Sequence, residues 1–137
     1  MNKIPVFVIS LKDSKRIDRI TNRLNEIKIN FKIIYGINGD KLEKKNRLHF
    51  FYDKEKTIEN TGREFHPSEV GGCASHLKVY RYMIKNKIKK AIIMEDDAYP
   101  SSNLKDWINK NYELENNTIL GFYAYPTDGL INKKPYK

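Results

Sequence analysis

Ala91-Ile92-Ile93-Met94-Glu95-Asp96-Asp97 reads as a short buried strand that runs straight into three carboxylates. A continuous apolar run suits a parallel strand covered on both faces. In open α/β sheets, ligands sit outside the carboxyl ends of such strands. Three adjacent carboxylates there are costly to bury in ionised form without a cation. If the run stays extended, Glu95 and Asp97 point one way and Asp96 the other. One pair then faces a metal while the third carboxylate is held by a donor. Hard oxygen ligands suit Mg2+ or Mn2+, often shared with substrate phosphates. An ion held this way stabilises a diphosphate leaving group. The competing reading is an acidic triplet on a solvated loop. The apolar strand in front of it is what favours a site.

Towards the N-terminus, Ile4 to Leu11 is a second apolar run and a second central strand. Asp13 and Ser14 follow as helix caps. Ile17, Ile20, Leu24 and Ile27 then recur at helical spacing among polar residues. Phe31 to Tyr35 reads as the next strand, which completes a right-handed βαβ unit. Gly36 to Asp40 is turn chemistry. Residues 41–63 read as a charged loop with one or two short helices. Pro67-Ser68-Glu69 opens a helix with Ser68 as N-cap and Glu69 near its positive end. Cys73, Leu77, Tyr80 and Ile84 fall on one face of that helix, and Lys85 to Lys90 ends it. Beyond the acidic triplet, a helix over Leu104 to Tyr112, a strand over Thr118 to Ala124 and a loop from Gly129 complete the reading.

The chain has 137 residues, enough for one domain with a real core. One cysteine, Cys73, excludes an intramolecular disulfide and fits a reducing, cytoplasmic setting. No apolar stretch is long enough to span a bilayer. The net charge of +9 attracts anions: nucleic acid, anionic headgroups or phosphorylated substrates. The aromatics are not interleaved with Lys and Arg, which places nucleic acid below sugar phosphates and membrane surfaces. Lys85, Lys87, Lys89 and Lys90 offer a basic helix end for peripheral docking on the inner face of the cytoplasmic membrane.

Two further segments carry candidate chemistry. In Glu69-Val70-Gly71-Gly72-Cys73-Ala74-Ser75-His76, the glycines admit close approach by a ligand or another strand. Free N–H groups near a helix start hold anions, and Ser75 and His76 are hydrogen-bond donors. Plain helix-start packing explains the same residues. After Ser10 and Leu11, Arg16 and Arg19 are within reach of a nucleotide at the strand end; the competing reading is a pair of solvated helix residues, and it is favoured for Arg19. Phosphate-loop and dinucleotide fingerprints are absent. His49, His66, His76 and Cys73 lack zinc spacing, and a Cys73–His76 nucleophile has no orienting third group.

These segments, in this order, resemble glycosyltransferase family 25, the lipooligosaccharide galactosyltransferase family. The resemblance covers roughly residues 4 to 100. It lies in Val6-Phe7-Val8-Ile9-Ser10-Leu11 with Arg16, the aromatic strand and turn from Phe31 to Gly39, the motif Glu69 to His76, and the strand ending in Glu95-Asp96-Asp97. Ser10 stands where the family has Asn. Gly72 stands where it usually has Cys, with Cys73 displaced by one position.

The resemblance implies a GT-A-like (Rossmann-like) α/β fold, an open and mostly parallel sheet flanked by helices. It implies that residues 1–137 form a single domain, the nucleotide-sugar-binding part of a longer fold that is incomplete at the C-terminus. It further implies inverting transfer of a sugar, galactose first, from a UDP-sugar donor to a lipooligosaccharide or other glycan acceptor. Ser10, Leu11, Arg16, Glu69, Ser75, His76, Glu95 and Asp96 would line the donor site, and Glu95 and Asp97 would hold Mn2+ or Mg2+. The catalytic base stays unassigned, Asp128 being the one late carboxylate to consider. The alternatives are a truncated, inactive UDP-sugar-binding module and a basic membrane- or nucleic-acid-binding protein.

Overall fold

The computed structural model describes residues 4–110 and residue 119. Three parallel strands form its sheet: β1 (Val6–Ser10), β2 (Lys32–Tyr35) and β3 (Ile92–Glu95), in the order β2-β1-β3. β1 is central and buried at all five positions. Its side chains alternate between two cores, as the pleat requires. Val6 and Val8 point to a core with Ile20 and Leu24 of α1 (Ile17–Glu26) and Ile108 of a later helix. Phe7 and Ile9 point to a second core with Ile34 and with Val79 of a long helix. The result is a Rossmann-like α/β sheet with helices on both faces.

The order of the strands explains that layering. The chain leaves β1 for β2 on one side, then crosses back over β1 to reach β3. Crossovers of one hand in opposite directions put their helices on opposite faces. The chain therefore reverses between β1 and β3, and their carboxyl ends flank the crevice where open α/β sheets bind ligands.

After β2 come α2 (Gly39–Lys44), a single 3-10 turn at Leu48–Phe50, α3 (Lys54–Thr61) and α4 (Pro67–Lys85). The turn expected from Gly36 to Asp40 is half helix: Asn38 caps α2 by accepting from the Lys41 N–H at 3.0 Å. α5 (Leu104–Lys110) covers the described part of the expected Leu104 to Tyr112 helix. The strand expected at Thr118 to Ala124, the loop from Gly129 and Asp128 lie outside the described residues.

Helix ends are where sequence and structure part. α1 starts at Ile17 with Arg16 as its N-cap and no side-chain cap, whereas Ser14 Oγ accepts from the Arg16 N–H at 3.2 Å. α4 is capped by His66 rather than Ser68. His66 Nδ1 accepts from the Ser68 N–H at 3.3 Å, and Glu69 Oε2 accepts from the His66 N–H at 2.8 Å. That reciprocal pair is a capping box with histidine in the place of Ser or Thr. At their C-termini α1 and α4 share one device. Lys28 and Lys87 take left-handed φ of 55°, and the next residue bonds back five positions: Ile29 N–H to Leu24 O and Ile88 N–H to Met83 O, both 2.9 Å. Each Schellman-type turn swings an isoleucine into a core.

α4 sits on α2 through two glycines. A Cβ on Gly39 would lie 1.7 Å from the Pro67 carbonyl oxygen, and one on Gly71 would lie 2.6 Å from the Gly39 nitrogen. Backbone meets backbone here, so no side chain can move aside. Gly71→Ala is therefore expected to destabilise by about 1–3 kcal/mol through overpacking. Gly72→Ala, whose Cβ meets nothing within 4 Å, should stabilise by about 0.5–1 kcal/mol through helix propensity. Urea denaturation midpoints of the two variants check the opposite signs.

Candidate functional site

The carboxyl ends of β1 and β3 are joined by one carboxylate. Asp96 is 3% exposed. Its Oδ2 accepts from Ser10 Oγ at 2.7 Å, and its Oδ1 accepts from Arg16 Nε at 2.8 Å. Burial raises its pKa, but hydrogen bonds from Ser14 and Ser10 and the Arg16 guanidinium outweigh that and hold it below the ordinary carboxylate value. Asp96 is thus an ionised internal brace, and Ser10, itself buried, is the other half of it.

The flanking acids behave differently. β3 ends at Glu95 and the chain turns at once, closed by an Ala98 N–H to Glu95 O bond of 3.1 Å. The run is therefore not extended through Asp97, and strand alternation does not govern where Asp97 points. Glu95 is exposed and meets α4, with His76 Nε2 at 3.2 Å from its Oε1. Asp97 is exposed, and its side chain has no partner among the described residues.

Arginines of α1 hold this turn in place. Arg16 binds the Asp96 carboxylate, Arg19 Nη2 donates to the Asp97 carbonyl at 3.0 Å, and Arg23 Nε donates to the Pro100 carbonyl at 2.9 Å. Arg19 is therefore not merely solvated. The spacing of 16, 19 and 23 along one helical face was the signal available in the sequence. Arg16 uses Nε on Asp96 and keeps its side chain 57% exposed, so its terminal nitrogens face outward.

The motif on α4 divides in the same way. Ser75 is buried; its hydroxyl donates to Gly71 O at 2.6 Å and accepts from the Ile37 N–H at 2.8 Å. It pins the loop after β2 onto α4. The close approach that the glycines permit is made by that loop and by α2. Glu69 carries the capping box and also takes both ends of Arg63, at 2.8 and 2.7 Å. His76, with Glu95, Cys73, Leu77 and Tyr80, lines an open hollow of about 620 Å³. A smaller hollow of about 300 Å³ lies at the ends of β1 and β2, where Leu11 and Gly36 meet Lys12, Lys41, Lys45 and Arg47. The basic lining of this second hollow went unread in the sequence, because its residues come from the loop after β1 and from α2 and the segments on either side of it, brought together only by parallel pairing.

Among the described residues, no group of three His, Cys, Asp or Glu is placed to hold a metal ion. Two exposed carboxylates, Glu95 and Asp97, are what the turn offers. That set does not make an all-protein cage. It fits the mode in which Mg2+ or Mn2+ takes one or two carboxylates and completes its shell with water and phosphate oxygens.

Fold and site together define a Rossmann-like α/β protein in which Glu95, Asp97 and Arg16 are exposed around the reversal point of the sheet. The sequence profile of glycosyltransferase family 25 (LPS biosynthesis protein) matches residues 3–128, and the chain belongs to that family. No curated protein and no solved structure matches it. No helix among the described residues is long and apolar enough to cross a membrane.

Two outcomes test this geometry. Asp96→Asn removes a charge-assisted pair and should cost about 1.5–3 kcal/mol in urea denaturation. Glu69 is held at a pKa of about 2, below its ordinary 4.5, first by the Arg63 hydrogen bonds and then by the His66 N–H. A depressed carboxylate contributes stability above its unfolded pKa and loses it as pH falls through the folded one. The melting-temperature advantage of the wild type over Glu69→Gln should thus be full above pH 4.5 and shrink towards pH 2; a gap that stays constant across that window would refute the assignment.

Proposed function

We propose that this protein is a metal-assisted glycosyltransferase acting in the cytoplasm. It takes a UDP-sugar, UDP-galactose first, and transfers the sugar with inversion to a lipopolysaccharide-type glycan. The observation that carries the reading is the division of labour in Glu95-Asp96-Asp97: the middle carboxylate is spent on Ser10 and Arg16, and its neighbours stay exposed at the crevice. Membership of the glycosyltransferase family supports the reaction class.

In this reading Glu95 and Asp97 hold Mn2+ or Mg2+, whose charge would offset that of the departing diphosphate. Arg16, anchored by Nε, turns its outer nitrogens to a phosphate oxygen. Leu11 and the basic hollow beside it receive the nucleoside end. His76 holds the Glu95 carboxylate in orientation from α4, as a neighbour of a metal ligand does.

Calorimetric titration with UDP-galactose, with and without Mn2+, tests the site. Binding should require the metal and weaken in Asp97→Asn by at least the roughly 10–100-fold that losing a supporting group of a metal site costs. Asp97 has no partner in the described fold, so circular dichroism should be unchanged. Equal affinity in the variant would sink the metal assignment. A transfer assay with a lipooligosaccharide acceptor then separates an enzyme from a binding module.

A further inference from the structure

We propose that the outward face of α4 is a docking surface for an anionic lipid bilayer. The sequence places Cys73, Leu77, Tyr80 and Ile84 on one helical stripe, and the stripe is exposed in the described fold. Leu77 is 51% exposed, Tyr80 41% and Ile84 78%, and Cys73 is exposed too. The other side of the same helix does the folding work: Val79 is buried against Phe7, Ile9 and Ile34, with Tyr82 and Met83 packed beside it. α4 is therefore apolar on two sides, one of them unspent. A contiguous exposed apolar strip of this kind marks an interaction surface.

Charge selects the partner. From Val70 to Met94 there is no Asp or Glu, whereas Lys78, Arg81, Lys85, Lys87, Lys89 and Lys90 fall in that stretch. Arg81 and Lys85 are exposed and follow directly on Tyr80 and Ile84. An apolar protein groove has no need of a field of one sign. An anionic bilayer uses both features: the stripe enters the acyl boundary, the tyrosine sits at the interface, and the basic side chains reach headgroups. The stripe also runs from the His76–Glu95 hollow to the basic turn before β3. A bilayer along α4 would bring lipid-borne groups to that hollow. The inference stands on α4 alone and requires no donor binding, so it and the proposed reaction can fail separately.

The test is co-sedimentation of the full chain with vesicles of phosphatidylethanolamine and phosphatidylglycerol, against vesicles of phosphatidylcholine. Binding to the anionic vesicles alone is expected. Leu77→Gln with Ile84→Gln should lower the partition on the order of tenfold or more, since two apolar side chains leave the interface. Both positions are exposed, so the far-UV spectrum should not change. Arg81→Gln with Lys85→Gln should weaken binding most at low salt. No binding by the wild type would overturn the proposal. So would unchanged binding by the apolar double variant, which would reduce the effect to diffuse charge. A wild-type dimer that the same double variant makes monomeric would overturn it too, because a second copy would then be the occupant of the stripe.

Discussion

The Asp96 carboxylate is nearly inaccessible to water, yet it is held ionised because β1 and α1 each supply a donor. Removing a charge from water is worthwhile only when partners of this quality meet it. The three-way contact fixes more than one side chain. It joins the ends of two strands that come together across the reversal point of the sheet. It also sets the first turn of α1, which has no side-chain cap of its own. From there Arg19 and Arg23 carry the restraint along the turn after β3. Glu95 and Asp97 are presented where they are because the residue between them is held.

What the sequence made legible was whatever repeats. The apolar run at β1 and the spacing of Ile20 and Leu24 follow from burial with a fixed period, and both appear as read. The apolar lead into Glu95 does form a strand, but at the edge of the described sheet, where Ile92, Ile93 and Met94 are half-buried rather than buried. Single contacts were less legible. His66 replaces Ser68 as cap because Arg63 and the His66 N–H both draw on Glu69, a choice made by residues on either side of the helix start. The brace on Asp96 was half legible. An acidic triplet cannot all be buried unpaired, so one member had to find donors. Which member did so depended on the turn at Ala98, and no periodicity encodes that.

The stripe on α4 shows the limit from the other side. Spacing tells which residues share a face and is silent about what lies against it. Val79 faces the sheet, with Tyr82 and Met83, because β1 presents Phe7 and Ile9 there. Leu77 and Ile84 obey the same arithmetic on the other side and meet solvent. A helix with two apolar faces needs two partners, and the sheet is only one of them.

A run of like residues at a strand end is easily given one shared role. Here the roles divide by hydrogen-bond satisfaction. Asp96 has its acceptor positions filled by protein donors, so it has little left for a ligand. Glu95 has one side-chain partner among the described residues, His76. Asp97 has none among the described residues. Capacity to bind something new rises in that order, from Asp96 to Glu95 to Asp97. The cost of mutation to the fold falls in the same order. Loss of activity on changing Asp96 would therefore mix scaffold with chemistry, whereas at Asp97 the two come apart.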